Sequence, residues 1–407
     1  MTITVRPLVD AEIEEFRSCL VRGFGDDPQG SAEEFREWFS ALVPLARSRV
    51  AFDDERIVGT LATYSQQVST PGASAPMAGT SMVTVLPTYR RRGVLRSMMT
   101  AHLVEAREHG DALAGLWASE SGIYGRFGFG VAAWRQETEL ATSAAAFLDG
   151  DVPGDVAFVD AAEAYDVIAP VYERVRGQRP GMLERSELWW RHRVLGDREH
   201  VRGGASSLRV AVHRVDGAAE GYVLYRQKQR WGDFPEGEVR VVELAAATPR
   251  AHGALWRLVA NVDLYPKVSA WNTPVDDELA WRVAEPRRVL RRTFDSLWLR
   301  VLDVEAALTS RAYLVEAAVT VAVRDPLIDE IGGTFRLEAG PDGAECRRVS
   351  GDADLHVEID ALASLLLGGA GARELARAGR IRGTHEAIRQ ATAVFGWDMA
   401  PWCPEIF

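Results

Sequence analysis

Residues 83–96 read Val-Thr-Val-Leu-Pro-Thr-Tyr-Arg-Arg-Arg-Gly-Val-Leu-Arg: an apolar strand that stops at Pro87, an arginine cluster, one glycine, and then a helical pattern. That order builds an anion site, because the free backbone N–H groups of a helix N-terminus stand beside fixed positive charge. Arg90, Arg91, Arg92 and Arg96 carry the charge, and Val94 and Leu95 open the helix. Gly93 lets the backbone approach a phosphate closely. A pyrophosphate fits such a cradle; the competing reading is a basic turn on a solvated face. A second run, residues 119–129, reads Ser-Glu-Ser-Gly-Ile-Tyr-Gly-Arg-Phe-Gly-Phe and sets the phenol of Tyr124 in a glycine-rich turn after a strand. A phenol with an ordinary pKa of ~10 can protonate a leaving thiolate at neutral pH. The competing reading is an aromatic that fills a turn.

The elements that must position these groups follow from periodicity and punctuation. A short strand at 3–6 precedes a helix at 11–21 that Asp10 would cap. A turn at 25–28 leads to a helix at 31–42 with Phe35, Trp38, Phe39 and Leu42 on one face. Strands at 50–52 and 57–64 pair around Asp53-Asp54-Glu55, and the Pro/Gly/Ser-rich stretch 69–78 reads as a loop. Next come a strand at 81–86 and a helix at 94–108 that buries Leu95, Met98, Met99, His102 and Leu103. A strand at 113–118, a helix-to-turn segment at 123–129 and a strand at 132–140 complete the order. This is an α+β layout, a mixed sheet flanked by helices.

The small-residue stretch 141–154 marks a boundary. Beyond it, 161–175 is helical in pattern with a break at Pro170, and 186–194 carries Trp189 and Trp190. Strands are expected at 207–213, 221–227, 240–246, 269–271 and 296–301, with a helix at 249–261. The strand–helix unit of 241–261 echoes that of 83–108 without the Arg-Arg-Arg-Gly turn. It reads as a second lobe with no anion cradle, or as an unrelated strand–helix unit. From 302 onward a helix at 303–308, strands at 317–325, 333–337 and 354–358, and helices at 359–367, 374–378 and 385–395 follow. That C-terminal segment either forms an apolar groove or serves as a packing domain. The division expected is 1–145, 146–300 and 301–407.

The run at 83–96 closely resembles the acyl-CoA motif of the GNAT N-acetyltransferases, and the element order over residues 1–140 matches the GNAT fold. The resemblance implies acetyl-CoA as cosubstrate. Arg90 to Arg96 would cradle its pyrophosphate, and backbone N–H groups of Val83, Thr84 and Val85 at a splayed strand edge would meet the thioester carbonyl. Many family members carry glycine or alanine where Leu95 stands, so the local loop geometry departs from the common pattern. Tyr124 falls at the place of the tyrosine that faces the CoA sulfur, with Ser119 and Glu120 near the pantetheine arm or acceptor mouth. The C-terminal segment resembles a sterol-carrier-protein-like domain.

Together the two motifs, the second GNAT-like lobe, the carrier-like tail and the terminal Phe407 resemble the enhanced intracellular survival (Eis) acetyltransferase family over essentially the whole chain. The resemblance implies a tripartite homohexamer that acetylates amines of aminoglycosides, polyamines or lysines by direct transfer through a ternary complex. It assigns Tyr124 as acid and the carboxylate of Phe407 as base. A terminal carboxylate has a reference pKa of ~3.3–3.7, so it must be raised by burial or act by orienting and neutralising an ammonium. Glu405 and Glu120 are the competing bases. Asp26, Trp38, Met82 and Glu405 are the expected acceptor-site residues, since carboxylates select ammonium groups and aromatic faces stack on sugar or aminocyclitol rings.

Composition narrows the alternatives. Lys+Arg is 47 against Asp+Glu 58, a net charge of −11, which argues against general nucleic-acid binding and suits cationic partners. Cys19, Cys346 and Cys403 are scattered and odd in number, so no disulfide framework or zinc site is implied, and no metal is expected. The opening Met-Thr-Ile-Thr-Val-Arg-Pro-Leu lacks a signal-peptide layout, and no apolar run approaches the ~20 residues of a membrane span. A cytoplasmic location is the expectation. Two other functions remain: a lipid- or ligand-binding protein with a vestigial GNAT fold, and a GNAT that modifies protein lysines.

Overall fold

The computed structural model describes residues 3–26, 30–148, 150 and 153–407. Contacts divide the chain into two compact units. One comprises Met1–Ala133, Ser296–Pro401 and Glu405–Phe407, the other Trp134–Asp295 with Trp402–Pro404.

The first unit opens with β1 (Ile3–Arg6), α1 (Ile13–Phe24), α2 (Ala32–Leu42) and β2 (Val50–Asp53). A long hairpin, β3 (Arg56–Thr70) and β4 (Ala73–Val85), leads to α3 (Val94–His109), β5 (Leu113–Trp117) and β6 (Gly130–Val131). α2 begins with a capping box: the Ser31 hydroxyl accepts from the Glu34 N–H, and the Glu34 carboxylate accepts from the Ser31 N–H. α3 buries Val94, Met98, Met99, His102, Leu103 and Ala106, while Leu95 is only half-buried. His102 lies between the hydroxyls of Thr63 and Thr80 at 3.1 and 2.8 Å, and burial pushes its pKa down to about 3.

The second unit holds β7 (Trp134–Ala141), β8 (Asp155–Phe158), α4 (Ala164–Arg176) and α5 (Glu187–Trp189). Then come β9 (Arg209–Val215), β10 (Ala218–Lys228), β11 (Glu238–Ala246) and α6 (Pro249–Ala260). β12 (Lys267–Pro274), α7 (Leu279–Arg282) and β13 (Val289–Asp295) close it. Its sheet runs β13-β7-β12-β11-β10-β9-β8, parallel only at β11–β12. Trp256, Tyr222 and Trp190 fill the two sides of this sheet.

The chain then returns to the first unit. β14 (Leu297–Val301) inserts beside β5, so the first sheet runs β1-β2-β3-β4-β5-β14-β6, parallel only at β4–β5. α8 (Val304–Thr309), β15 (Ala317–Arg324), β16 (Gly333–Gly340), β17 (Gly343–Val349) and β18 (Leu355–Glu358) follow. α9 (Ile359–Leu366), α10 (Ala372–Arg377), β19 (Ile381–Gly383) and α11 (His385–Phe395) complete a third sheet ordered β17-β16-β15-β18-β19 with its helices.

Several expectations need correction. Asp10 does not cap α1; it opens a single 3-10 turn and its carboxylate pairs with Arg36 at 2.9 Å. The expected loop at 69–78 is hairpin, turning only at Pro71-Gly72, with Gly72 at φ +67°. Pro76 is tolerated because it precedes the point where β5 joins β4, so one edge of the strand is still unpaired there. The strand expected at 132–140 starts at Trp134 and pairs with β12 and β13. Pro170 does not break α4, because burial of Ile168, Val171, Tyr172 and Val175 outweighs the lost hydrogen bond. Of the turn expected at 25–28, Asp27 and Pro28 lie outside the described residues.

Candidate active site

The first lobe places its motifs around one cleft of about 1030 Å³. β4 makes one wall. It pairs with β5 only from Met77 to Gly79, so from Ser81 to Val85 it has a partner on the β3 side alone. The backbone edge of Val83, Thr84 and Val85 is thereby turned to the cleft, which all three line. A bulge sharpens the divergence. Thr60 pairs with Thr84 and Ala62 with Ser81, leaving two residues of β4 opposite one of β3. Met82, inside the bulge, has φ +52°, and its carbonyl accepts from the Thr60 hydroxyl at 2.7 Å.

The turn into α3 makes the floor. Arg90, Arg91, Gly93, Val94, Leu95 and Arg96 all line the cleft. α3 starts at Gly93 with no side-chain cap, as α1, α4, α7, α9 and α10 also lack one, whereas α6 of the second lobe is capped. The N–H groups of its first turn are left for a ligand. Gly93 sits at φ +81° and an added Cβ would meet nothing within 4 Å, so the space before the helix is open. Arg91 also has φ +62°, so the chain turns sharply just before the helix. Arg90 is tied back, donating to the Val85 carbonyl at 3.3 Å and the Gly23 carbonyl at 3.2 Å. Arg92 does not line the cleft; its guanidinium lies over the Tyr89 ring at 5.3 Å.

The third wall is the segment after β5. Ser119, Glu120 and Tyr124 line the cleft. Tyr124 opens a 3-10 turn that ends at Gly128 (φ +81°), and its ring meets Phe129 edge-on with centroids 6.1 Å apart. Its pKa is raised above 10, first by burial and then by Glu120, against an opposing hydrogen bond with Ser119. The phenol therefore keeps its proton throughout the physiological range.

The remaining expected residues lie outside the cleft lining. Asp26 is exposed after α1. Trp38 is half-buried in an aromatic cluster, 5.1 Å from the Phe35 ring centroid. Met82 belongs to the bulge. Glu405 and Phe407 are both buried, with 6% and 7% exposure, and the Phe407 ring comes within 3.4 Å of the Cβ position of Gly79 on β4. Tyr89, Ile123, Arg126 and Phe127, within the two motif runs, also line the cleft without having been expected there, and sequence reasoning missed Gly23, Phe24, Pro326 and Leu327 outside them. A glycine inside α1 was the one available signal: a Cβ at Gly23 would lie 2.1 Å from Thr84 Oγ1, so helix and strand touch there.

The second lobe shows what a closed version looks like. α6 follows β11 as α3 follows β4, but Thr248 caps it by accepting from the Ala251 N–H at 3.3 Å. The Thr248 hydroxyl in turn donates to Glu220 at 2.9 Å. Glu220 also takes a hydrogen bond from Arg250, which with Thr248 brings its pKa down to about 2. A built-in carboxylate thus stands by this helix N-terminus. Among the described residues, no group of three or more His, Cys, Asp or Glu could hold a metal ion. No helix among them is long and apolar enough to cross a membrane.

Two successive mixed sheets, each with a parallel strand pair bridged by a helix, define tandem GNAT lobes, the class of CoA-dependent acetyltransferases, joined to a five-stranded C-terminal sheet. The comparisons agree. Residues 4–132 and 181–301 each match an acetyltransferase (GNAT) domain family, and residues 304–404 match the sterol carrier protein domain family. An uncharacterized N-acetyltransferase of Streptomyces avermitilis is 37% identical over 412 residues, spanning 100% of both chains. N-acetyltransferase Eis of Mycobacterium tuberculosis is 34% identical over 375 residues, covering 88% of this chain and 89% of the relative. The crystal structure of Eis1 from Mycobacterium abscessus aligns with a TM-score of 0.87 and 31% identity, over 99% of this chain and 100% of that one. The chain belongs to the Eis family of N-acetyltransferases.

Proposed function

We propose that the protein transfers an acetyl group from acetyl-CoA to amines of multi-amine acceptors of the aminoglycoside, polyamine or lysine type, directly within a ternary complex. One observation carries this reading. An uncapped helix N-terminus, an unpaired strand edge and a buried, protonated phenol all line the same cleft. That donor set fits the coenzyme, with N–H groups and Arg96 for phosphates and a strand edge for an amide-bearing arm. Bound there, acetyl-CoA supplies an acyl group activated as a thioester.

The chain's own residues do the rest. Val83, Thr84 and Val85 offer backbone donors to a carbonyl oxygen on which charge develops. Tyr124 Oη holds a proton for the departing sulfur. The carboxylate of Phe407, on a buried residue, takes up or neutralises the amine proton. Asp26, Trp38, Met82 and Glu405 recognise the acceptor, and the net charge of −11 favours polycations. We place the protein in the cytoplasm as a homohexamer.

The test incubates the full chain with acetyl-CoA and a panel of aminoglycosides, polyamines and lysine peptides, and reads acceptor mass. Stepwise 42-Da additions of the ~10-fold faster acceptor class identify the substrate type. Coenzyme binding with no acetylated product from any class would refute the acceptor assignment.

A further inference from the structure

Two cleft-lining residues come from the C-terminal segment rather than from the first lobe: Pro326 and Leu327, in the loop after β15. Both belong to the same compact unit as the first lobe. Their loop is fixed by one carboxylate. Asp325 Oδ1 accepts from the N–H groups of Leu327 at 3.0 Å and Ile328 at 3.1 Å, while Oδ2 accepts from Arg300 Nη2. Neither side chain of that ion pair is exposed at all.

Arg300 also packs against the end of the Tyr124 turn. It lies on β14, and Gly128, the residue that ends the Tyr124 turn, approaches it so closely that a Cβ there would be 2.8 Å from Arg300 Nε. The same Cβ would be 2.8 Å from Ile359 Cγ2 on α9. At Gly130, two residues on, a Cβ would lie 1.9 Å from the Asp360 carbonyl oxygen. The foot of the Tyr124 turn is therefore packed on the carrier-like domain without room for a side chain. One buried cation, Arg300, thus touches both the base of the Leu327 loop and the end of the Tyr124 turn.

We propose that the C-terminal domain is part of the coenzyme site. Leu327 is an apolar wall for the non-phosphate arm of acyl-CoA, and the Arg300–Asp325 pair is the positioning device that holds it against the Tyr124 turn. The inference rests on the coenzyme cleft assigned above. The cleft offers phosphates the α3 end and offers the pantetheine arm the β4 edge, and an arm lying on that edge needs an opposing apolar surface. Half-buried Leu327 supplies it in a cleft that Phe127 also lines.

Calorimetric titration of the full chain with CoA itself, alongside steady-state kinetics, tests this. Wild-type binding of CoA checks the cleft assignment independently, and its absence would overturn that assignment and this inference together. With wild-type binding established, Leu327→Ala should weaken CoA about five- to tenfold by loss of apolar contact. The KM for acetyl-CoA should rise in parallel, while kcat and the acceptor KM stay within about twofold. Leu327→Met, which conserves volume, should restore affinity. Asp325→Asn keeps the loop's acceptor but loses the charge partner of Arg300, and should weaken CoA while also lowering kcat, because the Tyr124 turn shifts with it. A Leu327→Ala variant that binds CoA as wild type does, or that loses kcat and acceptor affinity equally, would overturn the inference.

Discussion

Replacing Gly23 by alanine tests the contact between α1 and the cleft wall. Gly23 is buried near the C-terminal end of α1, and an added methyl would stand 2.1 Å from Thr84 Oγ1, 2.7 Å from Cγ2 and 2.9 Å from Cβ. Alanine gains about 1 kcal/mol of helix propensity. Overpacking costs about 1–3 kcal/mol, and the upper part applies because a β-branched side chain in a strand has few alternative rotamers. The net expectation is about 1–2 kcal/mol of destabilisation, a fall in Tm of about 2–8 °C. The strain also falls on the strand edge that lines the cleft, so CoA affinity should drop with stability. Gly23→Ala/Thr84→Ala removes the two nearest colliding atoms, and its stability should exceed the additive sum by about 0.5–3 kcal/mol. Thermal melts of wild type, both single variants and the double variant read this directly. A Gly23→Ala protein as stable as wild type, or an additive double variant, would refute the close approach.

Gly93→Ala should cost about 1 kcal/mol of stability for its left-handed backbone, yet weaken CoA by tenfold or more, because the methyl projects into the open space before α3; unchanged CoA affinity would count against the anion site. Titration should give one CoA per chain, since the Glu220 carboxylate already stands by the start of α6, and a stoichiometry of two would contradict that. His102 has a folded pKa of about 3 against an ordinary 6.5. The unfolded chain therefore binds the extra proton between those values, so the stability held above pH 6.5 is lost as pH falls toward 3, by up to about 5 kcal/mol. His102→Gln, which can still bond Thr63 and Thr80, should flatten that part of the Tm–pH curve, and an identical slope would remove His102 from the account. The raised pKa of Tyr124 keeps the acid protonated, so a kcat decline assigned to it by its absence in Tyr124→Phe should have its midpoint at higher pH than an ordinary tyrosine titrates.

The parts of the cleft built from neighbouring residues were legible in the sequence. Strand, proline, arginines, glycine and helix stand in order from 83 to 96, and all but Arg92 among the expected coenzyme residues line the cleft. Tyr124 was legible for the same reason, since its turn follows β5 at once. What escaped depends on long-range pairing. No local pattern says that β14, almost two hundred residues later, completes the first sheet beside β5, or that Leu327 reaches the same cleft. The hairpin at 69–78 was masked by its Pro, Gly and Ser, which signal a loop unless the register with β3 is known. β13 was missed because Leu-Arg-Arg-Thr-Phe at a sheet edge shows neither a buried face nor a clean alternation.

The central claim is that Tyr124 serves a CoA-dependent transfer in this cleft, and the most direct measurement is acceptor-dependent release of CoA thiol by wild type and Tyr124→Phe. Phenylalanine keeps the packing against Phe129 and removes only Oη. The expected result is a kcat lower by about 10²–10³ with CoA affinity retained. A variant that turns over within threefold of wild type would contradict the claim.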